Sequence, residues 1–258
     1  MFDLSKRKRF ITTSLILSMG FIGVQILESY KIFAIGVLGL LTVIFFVWSL
    51  WEGLGLNLTL LTLVLPILFT IGVGLFWFLL PSSILTRIPI ILLYGLGIYA
   101  LCLTANIYTV ATIRTIALLR AARGVGFVLT LLTFFLLFNT IFSLRWNIYL
   151  SGLSIFCLSF PLYLQGYWTI PLTKKKSKFF LGMSLIASIV SFEISLALYF
   201  WPVTVLVGSL FLTATSYMIL GLGQADLEGR LFVQTVREYL VLGLLVFLGM
   251  FFATRWGG

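Results

Sequence analysis

Histidine does not occur among the 258 residues of this chain, acidic residues number seven and cysteines two, and each shortage closes a class of chemistry. Without an imidazole there is no Ser-His or Cys-His nucleophile pair. The usual zinc and haem ligand sets cannot be assembled either, so no metal and no cofactor is expected. The acids are Asp3, Glu28, Glu52, Glu193, Asp226, Glu228 and Glu238. Scattered along the chain, they offer no acid pair for metal-assisted phosphoryl transfer or intramembrane aspartyl hydrolysis. No Gly-Lys-Ser/Thr phosphate loop is present. An enzyme built on this sequence would have to work with Arg, Tyr, Asn or a lone acid on a lipid-linked substrate. Cys102 and Cys157 lie inside apolar runs and not in loops, which argues against a disulfide framework and for two small core residues.

Charge is scarce as well. Only 9% of residues are charged and 61% are hydrophobic, with a mean hydropathy of +1.19, whereas about a quarter of a typical globular chain is charged. The chain is therefore expected to be an integral membrane protein, an all-α polytopic helical bundle. No stretch is left over for a soluble domain, so residues 1–258 are expected to form one transmembrane domain. Taking about 20 helical residues per bilayer crossing, nine spans are expected: 10–27, 32–50, 56–80, 88–111, 125–144, 148–170, 179–201, 203–222 and 239–254. The tight joints "ESYK", "WEGLG" and "FWPVT" are where neighbouring spans could merge into re-entrant segments. The first run follows "KRKR" but lacks a small-x-small cleavage pattern, which suggests a retained helix and not a signal peptide.

A net charge of +10 would point to nucleic acid in a soluble protein, but no nucleic-acid-binding module is visible. Here the basic residues sit at the ends of apolar runs. Placing the N-terminus in the cytoplasm puts thirteen Lys and Arg on that side, from Lys6 to Arg237, and leaves Lys31, Arg87, Arg145 and Arg255 outside. This asymmetry predicts a cell-membrane protein with its N-terminus cytoplasmic and its C-terminus outside. Trp and Tyr at the run ends, as in "VWSLW" and "YFW", suit the interfacial aromatic belt.

Against this apolar background, each polar residue within a span is a candidate. A charge near the bilayer centre costs at least about 2.5 kcal/mol on insertion scales and is by default a functional hypothesis. Glu193, in "SLIASIVSFEISLALYF", is the one acid so placed, about 21 Å above the cytoplasmic start of its span. Asn139 and Gln25 fall at nearly the same height, so the three are expected to form one polar layer. Asn106 and Gln165 suggest a second, deeper layer, and together these residues could mark a path for a proton, an ion or a polar solute. Each amide could equally bond a neighbouring helix. Ser184, Ser188, Ser191 and Ser195 recur at helical spacing and predict a close-packed face, with Glu193 about 200° around from it. Pro66 and Pro161 fall inside the third and sixth spans, where a missing amide donor frees a carbonyl.

Two cytoplasmic segments complete the list. "IRTIALLRAARG" is expected to continue the fourth helix beyond the membrane, where Arg114, Arg120 and Arg123 would meet headgroups or a partner. In "GLGQADLEGRLFVQTVREY" the glycines are expected to end the eighth helix, with Asp226 near the start of the next and able to pair with Arg230 at i, i+4. The last helix should then begin as an amphipathic segment. The expected surroundings are the lipid bilayer, anionic headgroups at the cytoplasmic face through "KKKSK", and a membrane-protein partner or second copy. The function expected first is a small transporter, channel or flippase for a small or lipid-linked solute; the alternatives are a non-catalytic subunit or scaffold of a larger membrane complex and, second, a lipid-modifying membrane enzyme.

Overall fold

A computed structural model describes residues 5–26, 30–51, 59–80, 84–111, 118–172 and 177–254, without the side chains of 25, 26, 31, 59, 60, 84–86 and 177. In a bilayer every backbone donor and acceptor must be satisfied within the chain, so apolar runs of this length become helices. The described residues form α1 (Lys6–Ile26), α2 (Lys31–Leu50), α3 (Thr59–Trp77), α4 (Ile84–Ala111), α5 (Leu119–Ser143), α6 (Ile148–Trp168), α7 (Ser177–Phe200), α8 (Val205–Leu227) and α9 (Val233–Ala253). Seven of them, α2 and α4 to α9, are long and apolar enough to cross a membrane. The protein is a multi-pass integral membrane protein. Pro66 and Pro161 lie inside α3 and α6 as expected, and Pro89 lies inside α4.

The chain divides into two compact units, Met1–Thr133 and Phe134–Gly258. In the first, α1 packs on α2 and α4, and α3 packs on α2 and α4. Its centre is Tyr94, whose ring stacks on Phe21 at 5.0 Å and on Phe69 at 6.0 Å. The Tyr94 hydroxyl lies 3.1 Å from Thr70 Oγ1, which lies 3.2 Å from Thr42 Oγ1. One buried hydroxyl chain thus ties α2, α3 and α4 together.

In the second unit α7 packs on α6 and α8, α6 also meets α8, and α9 packs on α8. Tyr163 occupies the centre, with Phe134 at 4.9 Å and its hydroxyl 2.8 Å from Ser191 Oγ. Small residues set the spacing. A Cβ placed on Gly152 would lie 2.7 Å from the Phe192 ring, and one on Gly223 would lie 2.4 Å from the Tyr167 ring. Helices this close gain dispersion contacts that lipid, as apolar as Leu, cannot outcompete.

"FWPVT" separates two full helices, since α7 ends at Phe200 and Thr204 caps α8 by accepting from the Val207 amide. Most of "ESYK" and "WEGLG" lies outside the described residues. Cys102 is buried, but Cys157 is exposed, which corrects its assignment to the core. The helical phase decides this: Cys157 is two residues from the buried Ile155 and Ser159 and so points about 200° away from both.

The eighth helix runs past its expected end at Leu222. Gly221 and Gly223 do not break it, because they are packing positions against Tyr239 and Tyr167. It stops instead at a glycine cap. Gly229 takes φ +69, its amide donates to Asp226 O and the Arg230 amide donates to Ala225 O. This pair of bonds is the Schellman arrangement, which needs a left-handed residue and so favours Gly.

Candidate functional site

The serine face of α7 is present as expected. Ser184, Ser188, Ser191 and Ser195 are all buried. Their hydroxyls donate to the carbonyls of Phe180, Ser184, Ala187 and Phe192. Bonding back to their own helix removes the polarity of these side chains and leaves a narrow surface on which α6 can seat.

Glu193 points the other way and is exposed. It makes no hydrogen bond or ion pair among the described residues. Along the same outer stripe lie Gly182, Ile186, Ile189 and Ala197, all exposed and spaced four, three, four and four with Glu193 included. A Cβ on Gly182 would meet nothing within 4 Å. The stripe is therefore apolar, narrow at Gly182 and Ala197, and interrupted once by a carboxyl group.

The polar layer expected around Glu193 is not assembled. Asn139 is buried and donates through Nδ2 to Ser209 Oγ of α8 at 3.1 Å, so its amide is committed to a helix–helix contact. Height along a helix says nothing of azimuth, and Glu193 faces out while Asn139 faces in. The Gln25 side chain lies outside the described residues. Asn106, in the first unit, is half-buried, and its carbonyl accepts from Thr109 Oγ1. Gln165, in the second, is 3% exposed, and its Oε1 has no hydrogen-bond partner among the described residues. At the next two residues of α6, the Gly166 carbonyl accepts from Gln224 Nε2 at 2.9 Å, and Tyr167 Oη donates to Ile219 O.

The two charged segments also differ from expectation. Arg120 and Arg123 belong to the opening turns of α5, which begins at Leu119, and are not a continuation of α4; Arg114 lies outside the described residues. Cations at a helix N-terminus oppose the helix dipole, so their presence is not explained by helix stability. Asp226 sits in the last turn of α8 and not at the start of the next helix. Arg230 pairs with Glu228 and not with Asp226. The reason is the Gly229 cap, since the i, i+4 relation holds only within a continuous helix and the chain turns between the two residues.

Tyr94, Tyr163 and Gln224 were not singled out by sequence, although each anchors a buried contact. A tyrosine in mid-span, away from the interfacial belt, was the available signal.

The chain matches one family over residues 16–253, described as a protein of unknown function, DUF5656. It belongs to the DUF5656 family. The DUF5656 match takes in both units, and Glu193, the serine face and the α8–α9 cap all lie within it. No curated protein and no solved structure matches the chain.

Proposed function

We propose that this protein is a non-catalytic subunit of a larger membrane assembly, and that the outer stripe of α7 seats a helix of the partner. Glu193 carries this proposal. A carboxyl group presented outward within a span is costly in lipid, and its own chain supplies no donor among the described residues. The burden is relieved if a partner helix brings an Arg, Lys or amide donor to that depth, about 10 Å from the Phe200 end of α7. Gly182 and Ala197 on the same stripe allow the close approach that such pairing requires.

A photo-crosslinking residue at Ala197, introduced into the full chain in its native membranes, tests this directly. The expected result is one protein adduct that disappears with Glu193→Leu, while a crosslinker at Leu240 on α9 does not yield it. Adducts only to lipid from Ala197, or a protein adduct indifferent to Glu193→Leu, would refute the proposal.

Transport is the second reading, and the observation in its favour is buried Gln165, whose Oε1 has no hydrogen-bond partner among the described residues. Solute or proton flux in proteoliposomes that is abolished by Gln165→Leu would move the function to transport.

A further inference from the structure

The last helix has one packed seam and is otherwise open. Against α8 it presents Tyr239, whose ring meets Tyr217 at 5.4 Å, and Gly243, where a Cβ would come within 2.7 Å of Met218 Sδ. Its far end is held by Phe247, whose ring is 6.1 Å from Trp201, and by the bond from Trp201 Nε1 to Thr254 Oγ1. At 100° per residue, Gln234, Arg237, Glu238, Val241 and Leu245 lie on the side opposite Tyr239 and Gly243.

That side borders an open, shallow surface pocket of about 740 Å³, whose described lining, Val233, Gln234, Arg237, Glu238, Val241, Leu242 and Leu245, comes from α9 alone. Its polarity is divided along the helix. Three polar side chains stand together in the first two turns, and the remainder is aliphatic. The polar part lies towards the Val233 end of the span and the aliphatic part further along it, the order of a lipid's headgroup and acyl chain.

The charges are arranged with equal economy. Gln234 Nε2 donates to Glu238 Oε1 at 3.1 Å, which orients the carboxylate along the groove. Arg237 is exposed and makes no hydrogen bond or ion pair among the described residues. Arg230 is already taken by Glu228. A cation and an anion on adjacent residues do not favour a singly anionic headgroup, whose phosphate would gain Arg237 and face Glu238. They complement a zwitterion.

We infer that this groove binds one phosphatidylethanolamine molecule, with its phosphate on Arg237, its ammonium on Glu238 and an acyl chain along Val241, Leu242 and Leu245. A guanidinium donates in parallel to two phosphate oxygens. A primary ammonium has three N–H donors for a carboxylate. The quaternary ammonium of phosphatidylcholine has none, so the same groove discriminates between the two headgroups. This binding is independent of the α7 stripe and stands whether or not a partner seats there.

Delipidated full-length protein in detergent, given equal amounts of phosphatidylethanolamine, phosphatidylcholine and phosphatidylglycerol with the same acyl chains, tests it by native mass spectrometry. One phosphatidylethanolamine per chain should be retained in preference to the other two by roughly tenfold, the scale of one charge-assisted contact. Arg237→Gln should lose that retained lipid. Glu238→Gln should keep a lipid but no longer distinguish ethanolamine from choline. Both positions are exposed, so the variants should fold, and unchanged melting would verify it. Equal retention of the three lipids, preference for phosphatidylglycerol, or retention unaffected by Arg237→Gln would overturn the inference.

Discussion

Replacing Gly223 by Ala adds one methyl group to the tightest joint in the second unit. That methyl would lie 2.4 Å from Tyr167 Cε1, 2.9 Å from Cζ and 3.0 Å from Oη. Tyr167 has little room to give way. It is 2% exposed, its ring stacks on Tyr163 at 6.2 Å and its hydroxyl bonds Ile219 O at 3.2 Å. Overpacking of this kind costs about 1–3 kcal/mol. Losing the hydroxyl contact adds about 0.6 kcal/mol, the average for interhelical bonds in membranes. Ala is favoured over Gly in a helix interior by up to about 1 kcal/mol, which works against the loss. Gly249, where a Cβ would meet nothing within 4 Å, measures that gain separately. The propensity gain cancels between the two variants, so Gly223→Ala should be less stable than Gly249→Ala by about 2.6 kcal/mol, read from tryptophan fluorescence during denaturant titration in detergent. In a Tyr167→Leu background most of the cost should vanish, a coupling that a double-mutant cycle isolates. Equal stability of the two alanine variants, or an undiminished cost after Tyr167→Leu, would refute the packing argument.

Two further outcomes follow from local geometry. Gly229→Val forces a β-branched residue to φ +69 and should cost about 1–3 kcal/mol. Gly229→Asn should cost far less because Asn tolerates the left-handed region; equal melting of the two variants would contradict the cap. Cys157, on the exposed side of α6, should accept Cys157→Leu with little change in stability, while Cys102→Leu, at a buried position in the first unit, should cost about 1–3 kcal/mol by overpacking. Equal melting of the two variants would count against the packing of α4.

The helices were legible because bilayer thickness and backbone hydrogen bonding leave few alternatives to a run of about 20 apolar residues. Helical phase was legible where a face repeats, as in the four serines of α7. Helix ends were less so. Gly221 and Gly223 looked like stop signals, yet in a membrane bundle small residues serve close packing more than termination. The actual stop needed only Gly229, whose role depends on backbone dihedrals. The pairing of polar groups was the least legible, because sequence gives each residue a height while its partner is fixed by how neighbouring helices are rotated. Asn139 found Ser209 in this way, and Cys157 was assigned to the core for want of that rotation.

Glu193 differs from most of the polar side chains within the helices of the second unit. Ser184, Ser188 and Ser191 bond their own helix, Asn139 bonds Ser209, Tyr163 bonds Ser191 and Gln224 bonds Gly166 O. Each of these groups is spent inside the fold, where it stabilises one arrangement of helices. Glu193 has no such internal use among the described residues, and an aliphatic residue on that exposed stripe would suit lipid better by up to about 2.5 kcal/mol. On the subunit reading proposed above, the cost of such a side chain is offset by a donor from a partner helix. That reading makes a donor at the depth of Glu193 the first property to seek in any protein that copurifies with this one.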